Sequence, residues 1–339
     1  MTIYVPKGIR PPGVFPTAPR VIYKTKRKNL SHAGRIGRID RFETLSAFRA
    51  FSHAFQAHRP RLAPDLAGYL HNAGFLPDKA ALYGLPDDRL DSFLSDFQVA
   101  ILPMANGHTA PALSNRQIFW RLYNGLLPLA PLVGTADRGG VHPVAAGAAE
   151  GPILARASTA AVTRTTLHAR LPDNAGMSAE QIFLRLPAGQ ETGARLLRLA
   201  IVFDPGEKLP FVAGAVLLEG ALDTLDDPGA TLVSRGIDPE TGEAGQAWRM
   251  TRGATTPPEP VPAEQAPRPV GEWWSTLMPL LAGLRRLPVF SVLQLDILET
   301  AGGPLVIDAT ERLDAATQQV HGPLMKSAAT VRFIREFGV

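Results

Sequence analysis

Two acids stand at matching places in "LQLDILETAGGPLVIDAT", residues 293–310. Asp296 interrupts the first apolar run, and Asp308 lies near the end of the second, two residues ahead of Thr310. A carboxylate taken into an apolar setting is costly unless a cation or hydrogen-bond donors meet it. The segment has the pattern of two strands around a turn, with the acids at matching places in it. Such a pair suits a hard divalent cation, which takes carboxylate oxygens together with phosphate oxygens. The competing reading is structural: a Ser, Thr or Arg neighbour satisfies both acids.

Other chemistry is limited by composition. The chain has no cysteine, which excludes disulfides, thiolate metal sites and a cysteine nucleophile. Lysines number 7 among 35 basic residues, and between Lys79 and Lys326 only Lys208 occurs. A mechanism that needs core lysines has almost nothing to use. His53 and His58 lie on an expected helix with no third ligand in register, which points to surface or packing roles. Residues 20–41 hold eight Lys or Arg, a cluster that suits RNA, anionic lipid, an acidic partner or simply solvent. No aromatic ladder interleaves these charges and no reading helix accompanies them, so nucleic acid is not an expected partner.

Some 339 residues, 45% hydrophobic and 19% charged, support a substantial core and about two domains. The start shows no apolar leader, and no run of about 18 apolar residues occurs, so a spanning helix is not expected and the cytoplasm is the default. Residues 1–30 are Pro-rich, basic and expected to be extended. Phe42, Leu45, Phe48, Phe51 and Phe55 fall at helical spacing. Further helices are expected over "RPRLAPDLAGYLHNAGFLP", over "LPDDRLDSFLSDFQV" with Asp87 as N-cap, and over "SNRQIFWRLYNGLLPLAP". In that last helix Ser114 caps, Ile118, Phe119, Leu122 and Tyr123 form the apolar stripe, and Gly125 stops the helix. After a Gly/Ala-rich loop come strands at "GPILARAST", "EQIFLRL", "ARLLRLAIVFD" and "PFVAGAVLLEG". "GIDPETGEAGQAW" is a turn between strands. Residues 255–269 hold six prolines and are expected to be an exposed loop. "VGEWWSTLMPLLAGLRRLP" and "SAATVRFIREFGV" are helical. The fold class is α+β.

The order of these pieces, from about Ser114 to Val339, resembles the ATP-grasp superfamily, and within it the sugar-transfer associated branch. "SNRQIFWRLYNGLLPLAPLVG" is similar to the family's helix and its Pro-containing exit. "RLLRLAI" resembles its Asn-Thr-Leu-Arg-Ile-Val-Thr strand and keeps Arg198. "LDDPGATLVSRGIDPETGE" retains Asp226, Asp238 and Gly242, although any turn of this shape would keep the last two. "LDAATQQVHGPLMKS" is similar to the family's Gln-x-x-Gly-x-Pro-Leu tail. The resemblance implies a two-lobed fold with a basic arm and helical region over 1–110, a small lobe over 111–190 and a large lobe over 191–339. It implies Asp296, Asp308 and Thr310 as Mg²⁺ ligands, Arg156 and Glu180 as ATP-binding residues, and Arg198 as a catalytic cation.

Departures from the pattern fall in one place. Asp308 stands for the usual Glu and Thr310 for the usual Asn. Arg156 stands where a lysine is normal, and no Gly-rich loop follows it, so backbone amides are not set to cradle phosphate. Leu218 replaces an arginine, and Leu295 a tryptophan. Two functions stay open. One is a degenerate ATP-grasp protein that binds a protein partner in a bacterial biosynthetic system and holds no cofactor. The other is an ATP- and Mg²⁺-dependent ligase joining a small carboxylate to an amine through an acyl phosphate. Arg198 also has a structural alternative, an ion pair with Asp226 or Asp227.

Overall fold

The computed structural model describes residues 41–58, 64–83, 92–137, 140–144, 150–157, 165–172, 180–188, 194–207, 209–227, 229–252 and 256–337. The basic segment ahead of Arg41, Asp87 and Lys208 lie outside these residues. The described part of the N-terminal region is helical. It comprises α1 (Arg41–His58), α2 (Pro64–Ala73), the short α3 (Lys79–Leu82) and α4 (Asp96–Ile101), then a 3₁₀ segment over Leu102–Thr109, α5 (Ala110–Ser114) and α6 (Arg116–Tyr123). Ser95 starts α4 with a capping box: its hydroxyl accepts the Gln98 amide, and the Gln98 side chain accepts the Ser95 amide.

Two antiparallel sheets follow. The smaller comprises β1 (Leu132–Asp137), β2 (Gly140–Pro143), β3 (Glu150–Ala157), β4 (Thr165–Arg170) and β5 (Gln181–Arg185), in the order β2-β1-β5-β3-β4. The larger comprises β6 (Ala194–Phe203), β7 (Pro210–Gly220), β8 (Thr231–Ile237), β9 (Ala244–Thr251), β10 (Glu259–Pro260), β11 (Val292–Thr300) and β12 (Gly303–Thr310), in the order β10-β9-β8-β7-β6-β11-β12. Helices α7 (Trp273–Arg286), α8 (Ala315–Gln319) and α9 (Ala328–Phe337) complete the chain. The two-sheet α+β arrangement with a helical start is the one expected.

Nearly every residue of β6 is buried, which accounts for its continuous apolar run: a strand covered on both faces has no solvent side to mark with polar residues. One core joins this sheet to α6, α7 and the small sheet through Phe119, Tyr123, Leu184, Leu197, Leu280 and Leu295. A second joins Phe51, Phe55, Leu70 and Phe97 of the N-terminal helices to Val202, Val292 and Phe333. Asn106 stitches these parts together, since its Oδ1 accepts the Ser291 and Val292 amides (2.8 and 3.0 Å) and its Nδ2 donates to the Val292 carbonyl (2.9 Å).

Several expectations need correction. Asn115, not Ser114, caps α6, and its side chain accepts the Gln117 and Ile118 amides. The buried stripe of α6 is Arg116, Phe119, Trp120 and Tyr123, whereas Ile118 and Leu122 are 41% and 39% exposed. The Gly/Ala-rich stretch after residue 131 forms β1 and β2, where Val133 and Ala136 are buried. Strand β4 lies in a segment read only as lacking glycine. The described part of the Pro-rich stretch is mostly exposed and is tacked to the large sheet through one short strand. Glu259 and Pro260 pair with β9, the Val261 amide donates to the Ala247 carbonyl at 3.0 Å, and Val261 and Pro267 are buried. Proline tolerates such a place because an edge strand leaves one row of donors unused.

A Cβ at Gly283 would stand 2.2 Å from the Leu126 carbonyl oxygen, so α7 seats against the exit of α6 only with glycine there. In a free helix Gly→Ala stabilises by about 1 kcal/mol. Here Gly283→Ala should instead destabilise by about 1–3 kcal/mol, read as a lower urea midpoint with unchanged slope.

Candidate functional site

The opening hairpin is as its sequence pattern suggested. β11 and β12 pair antiparallel with Asp296 directly opposite Asp308, and on the other side of β11 Asp296 stands opposite Arg198 of β6. Directly opposed residues share a sheet face, so β6, β11 and β12 carry a row of Arg198, Asp296 and Asp308 on one side. Two carboxylates facing each other across a strand pair repel, and both are almost fully buried, at 2% and 4% exposure.

Arginine meets them. The Arg198 guanidinium forks onto Asp296, with Nε to Oδ1 and Nη2 to Oδ2 both at 2.8 Å. The same group donates to Asp226 at 2.9 Å and to Asp314 at 2.6 Å. Asp226 comes from the loop after β7, and Asp314 caps α8, accepting the Thr317 amide. Arg252, just past β9, donates to Asp314 at 2.7 Å and lies 3.5 Å from Asp226. Asp308 receives a second fork, from Arg116 at the start of α6, with Nε at 2.5 Å and Nη2 at 3.0 Å. Arg156 of β3 donates to Asp308 as well, and its Nη2 lies 4.0 Å from Asp226. The Arg116 Nη1 goes to the Ala157 carbonyl at 2.7 Å. Four guanidinium groups and four carboxylates therefore form one charge-balanced cluster joining α6, the small sheet and the large sheet.

Burial opposes ionisation throughout the cluster, and the balance with neighbouring charges sets the direction at each group. At Asp308 burial pushes the carboxyl upward, but Arg116 and Arg156 together outweigh it and hold the group at about 2. At Asp314, against the same burial, Arg252 and Arg198 win and the group falls below its ordinary value. Asp226 falls too, as Arg198, Arg156 and Arg252 overcome its burial. Asp296 is the exception. Burial, together with the neighbouring charges of Asp226 and Asp308, raises it against the pull of the Arg198 fork. Burial lowers the Arg198 guanidinium's hold on its proton, and Asp296 and Asp226 more than restore it.

Magnesium does not fit this donor set as it stands. Both oxygens of Asp296 and both oxygens of Asp308 accept from guanidinium groups, and a divalent cation between them would adjoin four fixed positive charges. Thr310, two residues past Asp308, is half-buried, and its hydroxyl accepts the Arg312 amide at 3.2 Å. Among the described residues no three His, Asp or Glu side chains converge as metal ligands. Asp296 and Asp308 are thus brought together, with arginine in the place that the resemblance gives to the cation, and Thr310 takes no part in the arginine forks. Arg156 and Arg198 are in the site, but as partners of carboxylates. Glu180 is exposed just ahead of β5 and stands outside the buried cluster.

Arg116, Arg252 and Asp314 were missed. The signal for Arg116 was present: it heads the i, i+3, i+4, i+7 series that α6 buries, and a cation on an apolar stripe requires an anion opposite. Arg252 and Asp314 follow a strand end and precede a short helix, where spacing says nothing of partners.

No protein-family model matches the sequence, and no curated protein does. Among solved structures the chain is similar to pyruvate carboxylase from Rhizobium etli, at 13% identity and TM-score 0.35 over 60% of this chain and 16% of that one. It is similar to L-amino acid ligase from Bacillus licheniformis, at 8% identity and TM-score 0.35 over 64% and 48%. It is also similar to a RimK domain ATP-grasp protein from Sphaerobacter thermophilus, at 11% identity and TM-score 0.30 over 68% of each chain. The chain thus spans less than a fifth of the first of these and about half of the second. Likeness at this level carries no argument about activity, ligand or partner.

Removing one member of a buried ion pair leaves the other uncompensated, which typically costs about 3–5 kcal/mol. Arg198→Met should lose that much in urea unfolding, and adding Asp296→Leu should recover a good part of it, giving a coupling above about 1 kcal/mol in the double-mutant cycle.

Acid should act in two stages. His321 is held down at about 4 by burial. The unfolded chain, with histidine near 6.5, therefore binds more protons between those values, and stability is full above about 6.5 and falls toward pH 4. Asp308 contributes stability above about 3.9 that is lost as pH falls through about 2. His321→Asn should flatten the fall between pH 6.5 and 4, worth at most about 3 kcal/mol, and leave the steeper loss below pH 4 in place.

Proposed function

We propose that this chain is a divergent ATP-grasp-like protein whose nucleotide site has become a salt-bridged core. It acts as a partner-binding subunit in a biosynthetic system instead of turning over ATP. The observation that carries this reading is the double fork: Arg198 on Asp296 and Arg116 on Asp308, with Arg156 also on Asp308. The acids that would hold Mg²⁺ against phosphate are neutralised from within. Arginines that would meet phosphate, which binds a guanidinium fork well, already hold carboxylates. The partner reading is supported by apolar side chains left in solvent on two helices, Ile118 and Leu122 on α6 and Trp274 and Met278 on α7, the latter pair 50% and 54% exposed.

The test is nucleotide binding. A ligand that binds only the native state raises stability by mass action, by about 2.7 kcal/mol at a hundred times its Kd. With millimolar ATP and Mg²⁺ the expected change in Tm is under about 1 °C, with no ADP formed in the presence of carboxylate and amine mixtures. A rise of several degrees that Asp308→Asn abolishes, or ADP release that depends on an amine, would overturn the reading in favour of an active ligase.

A further inference from the structure

Helix α7 carries two lengthwise rows. Trp273, Leu277, Leu280 and Leu284 are buried and hold it on the core of the large sheet. One residue later in each case, turned by about 100° around the axis, stand Trp274, Met278, Leu281 and Arg285. Trp274 and Met278 are the half-exposed side chains noted above, Leu281 is half-buried and Arg285 is exposed. A helix needs only one apolar row to seat on its own core, so the second row has no use within the described chain.

The steps of four, three and four along this row are those of a helix–helix seam, and they read the same in reverse. Laid antiparallel on a second copy, Met278 would meet Leu281 of that copy, and Trp274 would meet Arg285, whose guanidinium suits an indole face. Ser275 and Ala282 lie beside the row, small and exposed, and leave room for a helix. The two ends of α7 also differ in charge. At its start Trp273 donates its indole N–H to the Pro239 carbonyl at 3.2 Å, which seats the β8–β9 turn there with Glu240 and Glu243 exposed on it. At its finish Arg285 and Arg286 are exposed. Antiparallel pairing sets each acidic end against a basic one, whereas parallel pairing would set like against like. A surface complementary to itself in both shape and charge favours a second copy over an unrelated chain.

We propose that this chain forms a two-fold homodimer in which the Trp274, Met278, Leu281 and Arg285 row of α7 packs antiparallel on itself. The pairing takes up the α7 part of the exposed apolar surface and leaves Ile118 and Leu122 of α6 outside it. It stands whether or not the arginine–aspartate cluster binds nucleotide: titration with ATP tests that reading, and self-association tests this one.

Sedimentation velocity of the full chain is the test, with a Kd expected on the order of 100 µM, as suits so short a seam. Met278→Glu should leave the chain monomeric with its fold, judged by circular dichroism, intact. Arg285→Glu should weaken association by about tenfold, and Leu122→Glu on α6 should leave it unchanged. The chain has no cysteine, so introduced ones report the direction of packing. A mixture of Met278→Cys and Leu281→Cys chains should cross-link under mild oxidation. Trp274→Cys alone should not, because antiparallel packing holds its two copies about 16 Å apart along the axis. A chain that stays monomeric at about 500 µM would overturn the proposal. So would association unchanged by Met278→Glu or Arg285→Glu, association lost through Leu122→Glu, or Trp274→Cys cross-linking as fast as the mixture.

Discussion

The contact between Arg198 and Asp296 governs the arrangement around it. Two strands bring an acid opposite an acid, and neither position is open to water. The sheet can be buried there only if positive charge is supplied from the same face. Arg198 supplies it from the neighbouring strand, but one guanidinium cannot balance three carboxylates. Arg252 has to serve Asp314, and Arg116 and Arg156 have to serve Asp308. The small sheet and α6 are thereby tied to the large sheet by charge as well as by the apolar core. Stability alone does not call for this, since well-packed apolar residues of similar volume are often as good as a buried ion-pair cluster. What charge adds is exactness of pairing: a shift of one residue in β11 would send Asp296 to the opposite face and leave Arg198 alone.

Much of this was legible beforehand, and the reasons differ by residue. The hairpin could be read because two apolar runs flank a Gly-Gly turn, but the facing of Asp296 and Asp308 depends on a register shift between Asp296 and Ile297 that their distances to the turn do not record. Strands β6 and β7 were visible as long apolar runs. Arg198 was recognisable as a charge inside such a run. By contrast, β1, β2 and β4 are short, polar or glycine-bearing, and their pairing partners decide their conformation. The buried side of α6 was misjudged because Ile118 and Leu122 are as apolar as the residues that do face inward. A charge at the head of the true stripe disguised it. What the two acids face is set by residues more than a hundred positions away, and no local pattern records that.

The helical region and the sheet also share polar joints that hydrophobic patterning does not reveal. Gln319 receives the Leu94 amide on its Oε1 at 2.6 Å and donates to the Leu94 carbonyl at 2.9 Å, copying with one side chain what a neighbouring strand would do. Asn106 does the same at the edge of β11. Such amides let an irregular segment end against a sheet without orphaned backbone groups.

The span of the cluster along the chain has a kinetic side. Asp308 is separated from Arg116 by 192 residues and from Arg156 by 152, and Asp296 from Arg198 by 98. Contacts of such separation form late, after the loops between them have been closed. Until then the β11–β12 hairpin carries two facing carboxylates with nothing to neutralise them, and burying it early is penalised. The acids therefore keep the hairpin from collapsing onto apolar surface before β6, β3 and α6 have arrived. In a sheet with leucines at those positions, premature association of the hairpin with the wrong strand would meet no such barrier.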